Sequence, residues 1–199
     1  IWVSSETAAD ALVRGVLYVT EKLYYPTYVP EVASAFIERV EGLEPDQPPG
    51  QANVLLSGAF EPDPLVIPVT AGGAFYLRSA NTDNLTGRPC GGFVNSAPDV
   101  VFNLDGALPY LRLFYLADGA QADATLIMRS PEGRWYCNDD SYNSVHPTLN
   151  LIGPEAGDYQ VWLGNFDAPD GLSGSLYLTQ TDATPLEPEG THRLGAGAG

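Results

Sequence analysis

At 199 residues the chain suits one medium domain, or one domain with an appendage, and can bury roughly 70% of its unfolded surface without needing staples. Nine basic against 25 acidic side chains leave a net charge of −16, which repels phosphate backbones and anionic lipid headgroups and argues against nucleic acid or a membrane surface as partner. No apolar run approaches the roughly 20 residues of a membrane-spanning helix, since even the run from Leu12 to Tyr18 is broken by Arg14 and Gly15. Residue 1 is Ile and a single Met is present, so the numbered chain reads as a processed, exported product whose signal segment has been removed. Excess carboxylate is either a solvated surface or an attraction for divalent cations, and charge alone does not decide between them.

In chain order, Ala8, Leu12, Val16 and Val19 mark one face of a helix between residues 4 and 23 that ends near Tyr25-Pro26. A second helix is expected from Pro30, with Glu31 near its positive end and Val32, Phe36, Ile37 and Val40 along it before Gly42 stops it. This hairpin has too little apolar surface for a core of its own and must pack on the following domain or on another molecule. Tyr24, Tyr25 and Tyr28, between the helices, and Phe36 are therefore the expected partner contacts. Residues 44–50, EPDQPPG, read as a linker.

From Asn53 the pattern changes to short β-rich runs bounded by Gly, Pro, Asn and Asp. Nine strands are expected, at 54–56, 65–69, 74–77, 100–104, 110–116, 124–129, 133–137, 159–164 and 173–180. Tyr159, Val161 and Leu163 alternate with Gln160, Trp162 and Gly164, and Leu111, Leu113 and Tyr115 with Arg112, Phe114 and Leu116. The second set of each is partly aromatic, so both faces of these strands are expected to be covered, with Trp135 and Trp162 in the interior. The final stretch ends GAGAG and reads as a flexible linker in isolation. Held in place, it would have to dock on its own sheet or a neighbouring subunit, because immobilising backbone costs about 1–2 kcal/mol per residue; His192 and Arg193 are its candidate contacts. The reading is a mainly β protein: a helical extension and linker over 1–50, a β-sandwich or jelly roll over 51–182, and a Gly/Ala-rich tail over 183–199 that docks on a partner or neighbouring subunit.

Nucleophilic and metal-assisted catalysis lack their parts. The two His are His146, in a loop before Pro147 and expected at the surface, and His192 in the tail; no Ser stands in a G-x-S-x-G elbow. Two His and two Cys cannot build a zinc site of the HExxH or Cys-rich kind. The Gly pairs at 72–73 and 91–92 read as turns without the Lys-Ser/Thr or helix start that would cradle phosphate. Asp139 and Asp140 with Asp99, Asp123 or Asp167 have the residue types of a glycosidase acid and base, yet adjacent acids are common in so acidic a chain. Asn84-Leu85-Thr86 is a glycosylation sequon that matters only in a eukaryotic secretory pathway. Scarce Lys and abundant Gly, Pro and Tyr fit an extracellular β protein in which two Cys pair, although two Cys in a long chain can also be free thiols.

The succession CGGFVNSAPD at 90–99, DATL at 123–126, SPEGRWYCNDDS at 130–141 and GDYQVWLGN at 157–165 resembles bacterial pre-peptidase C-terminal-like domains. GAFEPDP at 58–64 and AGG at 71–73 resemble their usual beginning. The resemblance runs from about 53 to 182 and implies a secreted, non-catalytic β-sandwich of the kind appended to peptidases. It implies a disulfide between Cys90 and Cys137, and calcium in some members. Asn138, Asp139 and Asp140 are hard-oxygen candidates for that ion; the other reading makes residues 138–141 a turn whose side chains bond local amides. The function expected is an exported structural or interaction module, secreted, at the cell surface or periplasmic, that assembles with itself or a larger complex. The alternative is a module binding polysaccharide or matrix protein, and a third, a peptidase inhibitor or propeptide, would need an exposed loop such as 143–147.

Overall fold

A computed structural model of the chain describes residues 40–82, 89–119, 122–142 and 144–190, excepting the side chains of 78–82 and 89. Eleven strands occur in this part, and no helix. They are β1 (Ala52–Ser57), β2 (Leu65–Ala71), β3 (Phe75–Thr82), β4 (Pro89–Val94), β5 (Val100–Asp105), β6 (Tyr110–Ala117), β7 (Ala124–Arg129), β8 (Trp135–Asn138), β9 (Thr148–Ile152), β10 (Gly157–Asn165) and β11 (Leu172–Thr179). One sheet of four runs β2-β11-β6-β9. The other, of seven, runs β1-β5-β10-β4-β3 and continues from β10 to β7 and β8. All pairings are antiparallel except β1 with β5, which are parallel from Ala52 opposite Val100 to Ser57 opposite Asp105.

The sandwich forms because the two-residue period of the strands segregates their side chains. Val100, Phe102 and Leu104 of β5, Leu126 and Met128 of β7 and Tyr159, Val161 and Leu163 of β10 meet Leu111, Leu113 and Tyr115 of β6 and Leu176 and Leu178 of β11 in one core. The Phe102 and Tyr159 rings stack inside it, 4.7 Å apart. Strands buried on one face only would be polar on the other, and the central ones here are not. Trp162, Ile127, Trp135 and Cys137 face outward from the larger sheet and join Cys90, Val94, Leu77 and Val40 in a second buried cluster.

That second cluster exists because β4 crosses the outer face of β7 and β10. Thr125 Oγ1 donates to the Gly91 carbonyl. A Cβ on Gly164 would lie 3.0 Å from Val94 Cγ1 and 3.3 Å from the Phe93 carbonyl oxygen, so the two backbones meet where neither carries bulk. The Cys90–Cys137 disulfide ties β4 to β8 across this layer, with Cα atoms 6.2 Å apart. Gly91 and Gly92, expected in a turn, are strand residues of β4; they serve close backbone approach. The coverage of both faces expected from the aromatic second sets is present, and Trp135 and Trp162 are both buried.

The outer face of the smaller sheet is covered as well. Arg112 of β6 is fully buried there: its Nε donates to Asn150 Oδ1 at 2.9 Å and its Nη1 to the Ala183 carbonyl at 2.6 Å. The rings of Tyr110 and Tyr142 flank its guanidinium at 5.5 and 5.7 Å. The start of the expected tail therefore lies on the chain's own sheet, Ala183 being fully buried. The helical hairpin expected over 4–40 lies outside the described residues, except Val40, which is non-helical and packs in the second cluster. Residues 44 and 50 of the expected linker donate backbone hydrogen bonds to Ser96 and Pro98 at 2.8 Å each.

Candidate functional site

A cleft of about 590 Å³ lies where the two sheets meet, lined by Gln51, Thr70, Gly72, Asn95, Asp99 and Pro169 among others. It arises at a gap along β10, one edge of which is shared by β5 and β4. β5 pairs with β10 as far as Val161 and β4 only at Asn165, leaving Leu163 between them without a strand partner on that edge. Asp99 fills the gap: its Oδ2 accepts from the Leu163 amide at 2.8 Å and its own amide donates to the Val161 carbonyl at 2.8 Å. Asp99 Oδ1 accepts from Asn95 Nδ2 at 2.9 Å and Gln51 Nε2 at 3.0 Å. Gln51 also clasps Thr70 of β2, donating to its carbonyl at 2.7 Å and accepting from its amide at 2.8 Å.

Burial raises the Asp99 pKa, opposed by the Leu163 amide and by Asn95 and Gln51. With 1% exposure and its lone pairs engaged, this carboxylate is a structural junction between strands and has no reach toward a ligand. The rest of the cleft is mainly glycine, proline and backbone, which supplies shape and hydrogen-bonding groups without chemistry of its own.

A second polar region lies at the β7 end of the larger sheet. Asp123 is half-buried, its Oδ1 finds no hydrogen-bond partner, and its pKa is raised to about 6 by burial and then by the charges of Asp140 and Asp167. The nearby expected calcium ligands are placed by the fold as follows. Asn138 is buried, its Oδ1 accepting from the Thr148 amide at 2.6 Å and its Nδ2 donating to the Asp140 carbonyl at 2.9 Å. Asp139 is buried and Asp140 half-buried beside it. Both ends of the Asn138 amide thus bond backbone, one to Asp140 two residues on and the other to Thr148 of β9, ten residues on. Among the described residues no group of three or more His, Cys, Asp and Glu is arranged to hold a metal ion. His146 is in the loop where it was expected but is half-buried, not a surface residue; burial lowers its pKa, and its Nδ1 has no hydrogen-bond partner.

The exposed side chains form a third kind of candidate. Tyr76 of β3, 50% exposed, meets the half-buried Phe93 of β4 edge to face at 4.9 Å. Leu55 of β1 is 68% exposed. The expected partner contacts Tyr24, Tyr25, Tyr28, Phe36, His192 and Arg193 all lie outside the described residues, as does the sequon at 84–86. Arg112, Gln51 and Tyr76 had not been singled out as site residues. The visible signal for Arg112 is a lone charge inside the apolar run YLRLFYLA; Gln51, at the end of a proline-rich segment, gives none.

No protein-family model matches the chain and no curated protein matches it. Among solved structures it is similar to the pre-peptidase C-terminal domain of a collagenase from Bacillus anthracis, at 12% identity and a TM-score of 0.37, over 67% of this chain and 100% of that one. What the described residues define is a disulfide-bonded β-sandwich. No helix among them is long and apolar enough to cross a membrane.

Proposed function

We propose that this chain is a non-catalytic interaction module, exported to an oxidising compartment, that assembles with itself or with a larger extracellular or periplasmic complex. The observation that carries the reading is the margin of the larger sheet: β1 ends it with an uncharged strand whose alternate residues Asn53, Leu55 and Ser57 are exposed, on a chain of net charge −16. A disulfide within the second buried cluster fits secretion. Multi-angle light scattering of the full chain over a range of concentrations, with calcium and with chelator, tests the reading. Concentration-dependent mass supports it, and dependence on calcium would bring Asn138, Asp139 and Asp140 into the assembly. A monomer under every condition counts against self-assembly.

A second reading is favoured by the Tyr76 and Phe93 pair, an aromatic surface suited to stacking on a sugar ring or on a matrix protein. Retention of the chain on immobilised polysaccharides, abolished by Tyr76→Ala while the fold persists, would establish it. Equal retention of the variant would dismiss it.

A further inference from the structure

Backbone direction alternates along β1 as side chains do. Gly58 donates its amide to the Asp105 carbonyl and Ala52 to the Asp99 carbonyl, so the even-numbered residues face β5. Asn53, Leu55 and Ser57 therefore aim their amides and carbonyls away from the sheet, and among the described residues β1 pairs with no strand other than β5. The other margins are guarded; β3, at the far end of the same sheet, carries the charged Arg78. On β2 the Gln51 side chain takes both backbone groups of Thr70, and Pro68, which lies on the same outward-facing alternation, has no amide to offer. On β9 the Thr148 amide is capped by Asn138. β8 is only four residues long. β1 has no proline and no charged side chain along its six residues, and no side chain among the described residues caps its outward groups.

We infer that the free edge of β1 pairs antiparallel with β1 of a second copy of this chain about a two-fold axis through Leu55. This rests on the assembly reading above and names its surface. The register selects itself. Opposing Leu55 to its symmetry mate sets Asn53 against Ser57, so all three outward-facing residues enter hydrogen-bonded pairs. The same register sets Val54 against Leu56 on the inner face. Val54 is half-exposed at the margin of the core and gains an apolar neighbour from the other copy. Both sandwiches then lie on the same side of one continuous sheet. Charge points to the same site: two chains of −16 repel one another, and Ala52–Ser57 is a strip through which they can approach without opposing carboxylates on the strands themselves. A six-residue edge buries less than about 1,200 Å² in total, which belongs to the transient class of interface.

Sedimentation velocity on the full chain, from about 10 μM to about 1 mM, in about 0.05 and about 0.5 M NaCl, tests the pairing. Self-association that tightens on the order of tenfold with salt is expected, because screening removes the repulsion but not the hydrogen bonds. Leu55→Pro deletes an outward amide without touching the β5 ladder, and Leu55→Lys places a charge on the axis. Each should weaken association at least about tenfold while the thermal midpoint stays near that of the parent chain. Leu55→Cys should cross-link two chains on air oxidation, and Val66→Cys, 43% exposed on the other sheet, should not. Association undiminished in both Leu55 variants overturns the edge pairing while leaving self-assembly standing. A parent chain that stays monomeric at the highest concentration and salt, with no Leu55→Cys cross-link, overturns both.

Discussion

Replacing Asp123 by Asn should stabilise the protein at neutral pH and lose that effect in acid. The group titrates at about 6 in place of 3.8, burial being the larger cause and the charges of Asp140 and Asp167 the next. A carboxyl group whose folded pKa lies above its unfolded value favours the folded state while protonated. Its contribution is complete below about pH 3.8 and is lost as the pH rises through about 6. The distance between those two values corresponds to roughly 3 kcal/mol. Because the group is only half-buried, solvent screening cuts this to about 1–2 kcal/mol. Asn has the same shape and no charge to bury, so urea denaturation at about pH 7.5 should show the variant more stable by that amount, and the difference should close by about pH 4. A gain of equal size at both pH values, or a loss at neutral pH, would refute the assignment of the shift to a buried, crowded carboxylate.

Three further outcomes follow from the packing. Replacing both Cys90 and Cys137 by Ser should cost about 4 kcal/mol in chemical denaturation, as expected for freeing a loop whose ends are 47 residues apart. Reductant should have no effect on the stability of that variant. Arg112→Lys should cost about 2–3 kcal/mol, because an ammonium cannot reach Asn150 and the Ala183 carbonyl with the same planar fork; the loss should also appear as faster amide exchange around Ala183. Gly164→Ala should cost about 1–3 kcal/mol, since the added methyl meets Val94 and the Phe93 carbonyl at 3.0 and 3.3 Å, and a melt equal to the parent's would show that β4 can give way.

The sandwich was legible wherever strands alternate and turn residues punctuate them, as in β5, β6 and β10. Two strands were not. β4 carries Gly91-Gly92, the strongest local turn signal in its stretch, and the reason for those glycines is a backbone crossing elsewhere in the sheet, which no local window contains. β9 is short, follows Pro147 and has Asn150 at its centre; Asn150 is a strand residue because it receives Arg112 and the Tyr110 hydroxyl from the neighbouring strand. The covering of both faces could be read from Trp162 and Phe114, since aromatic side chains at alternate positions leave no face for water. Asp99 and Asp123 were visible as carboxylates but not in their roles. Asp99 in NSAPD looks like an ordinary turn acid, and only the gap between β4 and β5 makes it a substitute for a strand carbonyl. The raised pKa of Asp123 depends on Asp140 and Asp167, which approach it through the fold.

The disulfide also fixes how the protein can carry a mechanical load. β5, β6 and β7 and most of β4 and β8 lie within the segment it closes, whereas β1, β2 and β3 precede it and β9, β10 and β11 follow it. A pull applied to the two ends of the chain can peel the strands that precede and follow that segment but cannot draw out the 47-residue span between Cys90 and Cys137. That span would extend to roughly 160 Å if released. Oxidised, the molecule is a tether of limited stretch whose middle strands bear no tension along the backbone; reduced, it gains that length.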